Sequence, residues 1–338
     1  MTSRELVYAT LEFRNTEGRI PRQMWVLPWA GLHHEAMLRK IRQDFPDDIA
    51  GVPFHYKDPP KTSGNPHEPG EYIDEWGCRF VNITRGVIGE VKRPMIPAED
   101  ENWDGASAVH IPEELLSFDI DEINRGCAQT DKFVMAGFCP RPFEQLQFIR
   151  GTENLYVDIM APPKMMLGFI KRMHDFYCRG MEKWAKTDVD SLNFMDDWGS
   201  QRSLLIPPAL WRELFMPLYR DYIDIAHSRG KKIFMHSDGY TLDIIPFLIE
   251  LGLDAINSQV FCMGAENLQR FRGRITFWGE IDRQHLLPYG SLSDIENAVH
   301  AVYDNLWQDG GVIAQFEFGA GANPENAYHV FETYAGIR

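Results

Sequence analysis

Five short segments of the chain end in groups that can move protons or hold a cation. SLNFMDD runs into Asp196 and Asp197, with Trp198, Gly199 and Gln201 just beyond; KIFMHS delivers His236, followed by Asp238. DAINSQV delivers Asn257, Ser258 and Gln259, FWGEID delivers Glu280 and Asp282, and VIAQFEFG delivers Gln315 and Glu317. Carboxylates beside an imidazole are the residue types of general acid and base work, and Asp197, His236 and Glu280 are the candidates for it. Gln201, Gln259 and Asp282 are placed to contact a substrate. His236 and Asp238 flank Ser237, so strand alternation turns both to one side and Ser237 to the other. Such a pair can share a metal, or the carboxylate can orient the imidazole. Two plainer roles compete: Asp238 as the N-cap of a helix TLDIIPF, and Asp197 with Gln201 in an Asx turn at a helix start. Glu317 can point into the site or away from it.

These side chains act together only if the segments carrying them lie side by side. In the C-terminal third, apolar strand patterns alternate with helical ones: WRELFMPLYRDYIDIAHSRG, broken at Pro217 and stopped at Gly230, then KIFMHS, TLDIIPFLIELG, DAINSQV, AENLQRFRG, RITFWGE, SLSDIENAVHAVYDNLW, GVIAQFE and NPENAYHVFETYAG. Strands this apolar, each joined to the next through a helix, belong to a parallel sheet buried on both faces. No G-x-G-x-x-G follows a candidate first strand, which removes the main support for a nucleotide-binding open sheet. A (β/α)8 TIM barrel of about 250 residues plus insertions fits one domain spanning residues 1–338, and it sets the polar strand ends around one rim.

The N-terminal half supplies the rest. Thr2 and Glu5 have capping-box spacing, and RQMWVLP reads as the first barrel strand. Residues 51–110, rich in Pro, Gly, Trp and charge, read as a long insertion with a β-hairpin at its centre, covering the barrel mouth. VMAGFCP reads as a strand, FEQLQFIRGTENLYVDIM and PPKMMLGFIKRMHDFYCRGMEKWAKT as helices.

Composition narrows the partners. Asp and Glu total 49 against 34 Lys and Arg, a net charge of -15 that repels phosphate backbones and anionic lipid, so neither nucleic acid nor membrane is expected. No apolar run approaches the ~18 residues of a membrane span, and the N-terminus lacks a signal-peptide core, so the expected compartment is the cytoplasm. The cysteines Cys78, Cys127, Cys139, Cys178 and Cys262 are scattered without C-x-x-C spacing and read as free thiols.

The run from Asp196 to Arg338 resembles the uroporphyrinogen decarboxylase superfamily, particularly its cobamide-dependent methyltransferase branch. DDWGSQ (196–201), GKKIFMHSDG (230–239), FWGEIDRQHLLPYGS (277–291) and GGVIAQFEFGAGANPENA (310–327) carry it, with DEWGCRF and RPFEQLQFIRGTENLYVDIM earlier. The resemblance implies a single (β/α)8 barrel with its site in the strand C-terminal mouth. In the thiol-methylating members a His-x-Cys pair and a later cysteine hold zinc; here the positions fall on His236, Asp238 and Phe318, beside Glu317. A metal site of His236, Asp238 and Glu317 would be N/O-rich, suiting Zn²⁺ or a harder cation and an oxygen-bearing substrate. The expectation is a methyltransferase exchanging a methyl group between a small, methoxy or other oxygen-bearing, compound and a corrinoid (cobalamin) on a carrier protein, with Trp25, Trp29 and Trp76 as apolar walls. A homodimer is left open. The alternative is a lyase or decarboxylase of the superfamily acting on a small non-porphyrin substrate. Uroporphyrinogen itself would need an arginine-rich start, whereas GRIPRQMWVLPWAG offers only Arg19 and Arg22.

Overall fold

Apolar segments separated by helices become parallel strands whose side chains are buried on both faces. The computed structural model describes residues 1–16 and 18–337. Strands β1 (Arg22–Val26), β2 (Ile49–Ala50), β3 (Gly70–Ile73), β4 (Arg79–Asn82), β5 (Glu90–Val91), β6 (Phe133–Val134), β7 (Ser191–Met195), β8 (Lys232–Ser237), β9 (Ala255–Ser258), β10 (Thr276–Trp278) and β11 (Val312–Phe318) follow in order. Six of them form a parallel sheet ordered β1-β11-β10-β9-β8-β7, and β2 pairs in parallel with β6. Backbone bonds join the two sheets at both edges. Ala136 N donates to Ser191 O (2.9 Å) and Asp190 N to Val134 O (2.8 Å), while Asp48 N donates to Arg22 O (2.9 Å). The sheet is therefore curled, with helices on its outer face.

The helix Ser3–Leu11 carries the expected capping box of Thr2 and Glu5. Its Val7 and Leu11 join Ile49, Phe133, Phe234, Trp278 and Ile313 in one buried cluster, and Gly311 N donates to Thr10 O (2.9 Å) at the start of β11. This helix thus packs against the N-terminal strand ends, leaving the C-terminal ends for chemistry.

Helical patterning is met in the C-terminal third. The long pattern after Pro207 splits at Phe215 into Pro208–Leu214 and Met216–Ser228, as Pro217 requires, and Gly230 stands at φ +67° beyond its end. One competing role is overturned: the helix after β8 begins at Ile245, with Ile244 as its N-cap, so Asp238 does not cap it. The seven residues between are loop.

Within 51–110, β3, β4 and β5 form the expected hairpin extended to a three-stranded antiparallel sheet. Trp29 N donates to Gly86 O (3.1 Å), tying this segment to the helix that follows β1. Gly86 is held at φ +88°, and a Cβ there would sit 2.7 Å from Trp29 Cα, so no larger residue allows this approach. No helix among the described residues is long and apolar enough to cross a membrane.

Candidate active site

The loops after β7 and β8 are fastened together before any side chain is considered. Gly199 N donates to Asp238 O (3.1 Å) and Tyr240 N to Ser200 O (2.8 Å). A Cβ on Gly239, at φ +77°, would lie 2.1 Å from Gly199 O. Ser237, turned opposite to His236 as alternation predicts, is buried and accepts Trp198 N (3.1 Å). The pair of adjacent aspartates divides accordingly. Asp196 points into the core, where it accepts Tyr219 O–H (2.5 Å) and Glu144 N (2.8 Å), capping the helix Pro142–Arg150, and burial drives its carboxyl well above the usual range. Asp197 points the other way and accepts Asp238 N (2.9 Å) through Oδ1.

His236 faces these carboxylates in a defined tautomer. Asn257 Nδ2 donates to the carbonyl of Trp278, which can only accept, and to Gln315 Oε1 (3.0 Å). Its Oδ1 must then accept from His236 Nδ1 (2.6 Å), so the proton of a neutral imidazole sits on Nδ1 and the lone pair on Nε2. Nε2 lies 3.5 Å from Asp197 Oδ1 and 3.7 Å from Asp238 Oδ1, and Trp25 packs on the ring at 5.1 Å between centroids. Asp238 Oδ1 is buried with no hydrogen-bond partner among the described residues. A lone pair turned towards two carboxylate oxygens is repulsive unless a proton or a metal cation lies between them. The ligand atoms of Asp197, His236 and Asp238 all lie within 4.8 Å of one another, so the three residues fit a cation with N/O preference.

Arg283, which lies in the turn beyond a strand and not at a strand end, occupies the centre of the remaining acidic groups. Its guanidinium donates to Asp238 Oδ2, lies 3.2 Å from Glu280 Oε1 and 3.8 Å from Glu317 Oε1. Glu317 therefore faces Arg283, outside the triplet formed by Asp197, His236 and Asp238. Glu280 is 2% exposed, and burial lifts its carboxyl to about 8, with Arg283 pulling down and Asp238 and Glu317 pushing up. Burial likewise raises Asp197, reinforced by Asp238, and Glu317. Asp197, Asp238, Glu280 and Glu317 crowd around Arg283 and His236; burial is the main cause of the raised values of Asp197, Glu280 and Glu317, and the neighbouring carboxylates add to it.

Gln201 Nε2 donates to Gln259 Oε1 (3.2 Å), and both line an inner cavity of about 20 Å³ with Cys262, Glu280, Asp282 and Arg283, room for about one water. Asp282 spends its Oδ1 on the backbone N–H groups of Gln284 (2.7 Å) and His285 (2.9 Å), a turn-closing role. Arg283 also borders an open cleft of about 380 Å³ with Leu27, Tyr289, Glu317 and the 319–322 loop, so it stands between inner cavity and solvent. All five cysteines are free, and burial raises the Cys262 thiol to about 11, which leaves it a poor nucleophile. Of the three tryptophans, Trp25 lies beside His236, Trp29 stacks on His33 (4.6 Å), and Trp76 is buried against Phe176 and Tyr177, lining a separate side cavity. Arg19 and Arg22 stand at the start of β1, Arg19 paired with Asp48 (2.5 Å), remote in the strand direction from the C-terminal ends.

A family model described as uroporphyrinogen decarboxylase (URO-D) matches residues 77–335. No curated protein matches the sequence. Among solved structures, a methyltransferase from Methanosarcina mazei is similar over 99% of both chains, with a TM-score of 0.69 at 12% identity. A B12-independent methionine synthase from Shewanella sp. W3-18-1 aligns over 62% of each chain, with a TM-score of 0.41 at 12% identity. The first is a likeness of fold.

Proposed function

The chain belongs to the uroporphyrinogen decarboxylase family, and from that premise we propose that it is a methyltransferase that exchanges a methyl group between a small oxygen-bearing compound and a corrinoid on a carrier protein. The observation that carries the reading is the triplet Asp197, His236 and Asp238, with the His236 Nε2 lone pair turned by Asn257 towards two carboxylates. The fold shared with the Methanosarcina methyltransferase agrees with it. The Ala136–Ser191 and Asp48–Arg22 backbone bonds support reading the two sheets as one closed (β/α)8 barrel, with 51–110 over its mouth and 1–338 as one domain.

Asp197, His236 and Asp238 would hold Zn²⁺ or a harder cation, which supplies a Lewis acid for a substrate oxygen, while the corrinoid accepts or delivers the methyl group. The protein's own groups handle the proton. In the demethylating direction the methyl–oxygen bond breaks and the oxygen leaves with the electron pair, needing a proton. Glu280, neutral at pH 7 because it is buried, is the donor, and its carboxylate is then balanced by Arg283. Trp25 packs beside the imidazole, at 5.1 Å between ring centroids, and would give that side of the site an apolar wall.

The test combines metal analysis with spectroscopy. Stoichiometric zinc that is lost in His236→Ala, together with spectral turnover of cob(I)alamin or methylcobalamin by a methoxy compound or methyl acceptor, is the expected result. Failure of every corrinoid assay overturns methyl transfer, and a metal-free protein with a bell-shaped pH profile on a carboxylated substrate would establish the lyase alternative. The placement of Arg19 and Arg22 away from the C-terminal strand ends argues against a polycarboxylate tetrapyrrole in either case.

A further inference from the structure

The segment 51–110 does more than cross over the sheet. Tyr56, Glu75 and Trp76 from it, with Phe138, Arg141 and Tyr177, line a cavity of about 270 Å³ beside the end of β6. Its apolar walls are aromatic and fixed: the Tyr177 ring packs on Trp76 at 5.7 Å and on Phe138 at 6.1 Å between centroids, all three buried. The polar groups are few and of opposite sign. Arg141 donates one hydrogen bond from its side chain, Nη1 to Glu144 Oε2 (3.2 Å), which leaves most of the guanidinium fork without a partner among the described residues. Among those residues Glu75 forms no ion pair and the buried hydroxyl of Tyr177 has no hydrogen-bond partner.

The charges decide the kind of ligand. Glu144 offsets Arg141 and Glu75 adds a further negative charge, so a simple anion meets no net positive field. A simple cation leaves the guanidinium fork unmatched. An unmethylated ammonium is strongly hydrated and would have to give up that water, whereas a methylated ammonium needs no hydrogen-bond acceptor and is favoured by the aromatic faces. We propose that this cavity binds a small zwitterion, with its carboxylate on Arg141 and its methylated ammonium between Glu75 and the rings of Tyr56, Trp76 and Tyr177. The proposal does not rest on the methyl-transfer reading: the bound molecule is a ligand beside the triplet and not the oxygen-bearing methyl donor, and Arg141 contacts Glu144, which in turn feels the charges of Asp197, His236 and Asp238.

Calorimetric titration of the whole protein tests binding apart from turnover. The probes are glycine betaine; tert-butylacetate, which has the same shape with carbon in place of the charged nitrogen; and choline, which lacks the carboxylate. Glycine betaine should bind at least ~10-fold more tightly than either. Arg141→Gln should abolish the preference over choline, and Glu75→Gln the preference over tert-butylacetate. Equal binding of the three probes, no betaine binding up to roughly 10 mM, or preferences that survive both substitutions overturn the proposal. Because no corrinoid is present, those outcomes leave the methyl-transfer assay to be decided on its own result.

Discussion

Arg283 Nη1 lies 3.2 Å from Glu280 Oε1, and no hydrogen bond reaches either oxygen of that carboxyl among the described residues. A buried carboxyl with one ill-aligned cation beside it holds its proton, and this has a measurable consequence for stability.

Glu280 titrates at about 8 in the folded protein against an ordinary value of 4.5, with burial as the larger cause. Between those values the folded protein keeps a proton that the unfolded chain has released. Stability therefore falls as pH rises through that window, by up to ~1.4 kcal/mol per pH unit from this group. Glu280→Gln, neutral throughout, should flatten the dependence of the urea midpoint on pH. An unchanged slope would show that Glu280 ionises as readily folded as unfolded.

Removing the cation should act in the same sense. Arg283→Met leaves Asp238, Glu280 and Glu317 facing one another and should cost ~3–5 kcal/mol near pH 8, because breaking one side of a buried ion pair strands the other. Near pH 5 the cost should shrink, since Glu280, pushed up to about 8, then carries its proton. Urea unfolding at the two pH values checks this, and a loss below ~1 kcal/mol at both would demote Arg283 to a surface contact.

The reach and the limit of sequence reading are both visible at this cluster. Strands β7 to β11 could be read because each is an apolar run bounded by helical patterns, and the shared orientation of Asp238 and His236 followed from pleat alternation. Arg283 could not, because it lies beyond β10 in a turn, and only the return of that turn sets it between Asp238 and Glu317. Its one local sign was the three-residue spacing from Glu280. Asn257 was visible as a polar strand end, but its role depends on Trp278 and Gln315 from two further strands. The side-by-side aspartates looked alike in sequence, and their separation into a core cap and a site residue is set by Tyr219 and Glu144, which arrive from distant helices.

Asn257 should control metal affinity without touching the metal. Asn257→Asp keeps an acceptor for His236 Nδ1–H, whereas Asn257→Leu frees the ring to rotate or change tautomer. The leucine variant should bind Zn²⁺ ~10–100-fold more weakly than wild type, as loss of an orienting partner does, with the aspartate variant retaining the greater part of the affinity. Competition with a chromogenic chelator measures both, and equal affinities in the two variants would show that the His236–Asn257 bond does not set the ligand orientation.

Gly239 offers a test of whether loop contact, separate from side-chain chemistry, holds the triplet together. A methyl group there meets Gly199 O at 2.1 Å in a backbone conformation of φ +77°, and both atoms belong to loops that carry Asp197 and Asp238. Relief requires the loops to part, which moves Asp238 N away from Asp197 Oδ1. Gly230, at φ +67° with open space around it, provides the control, since Gly230→Ala pays only the left-handed backbone cost of ~1–2 kcal/mol. Gly239→Ala should cost more than that in urea unfolding and should also weaken zinc binding, whereas Gly230→Ala should lower stability alone. Equal stability losses with zinc binding intact in both variants would mean that the triplet is held by its own side chains and that the Gly199–Gly239 contact is incidental to it.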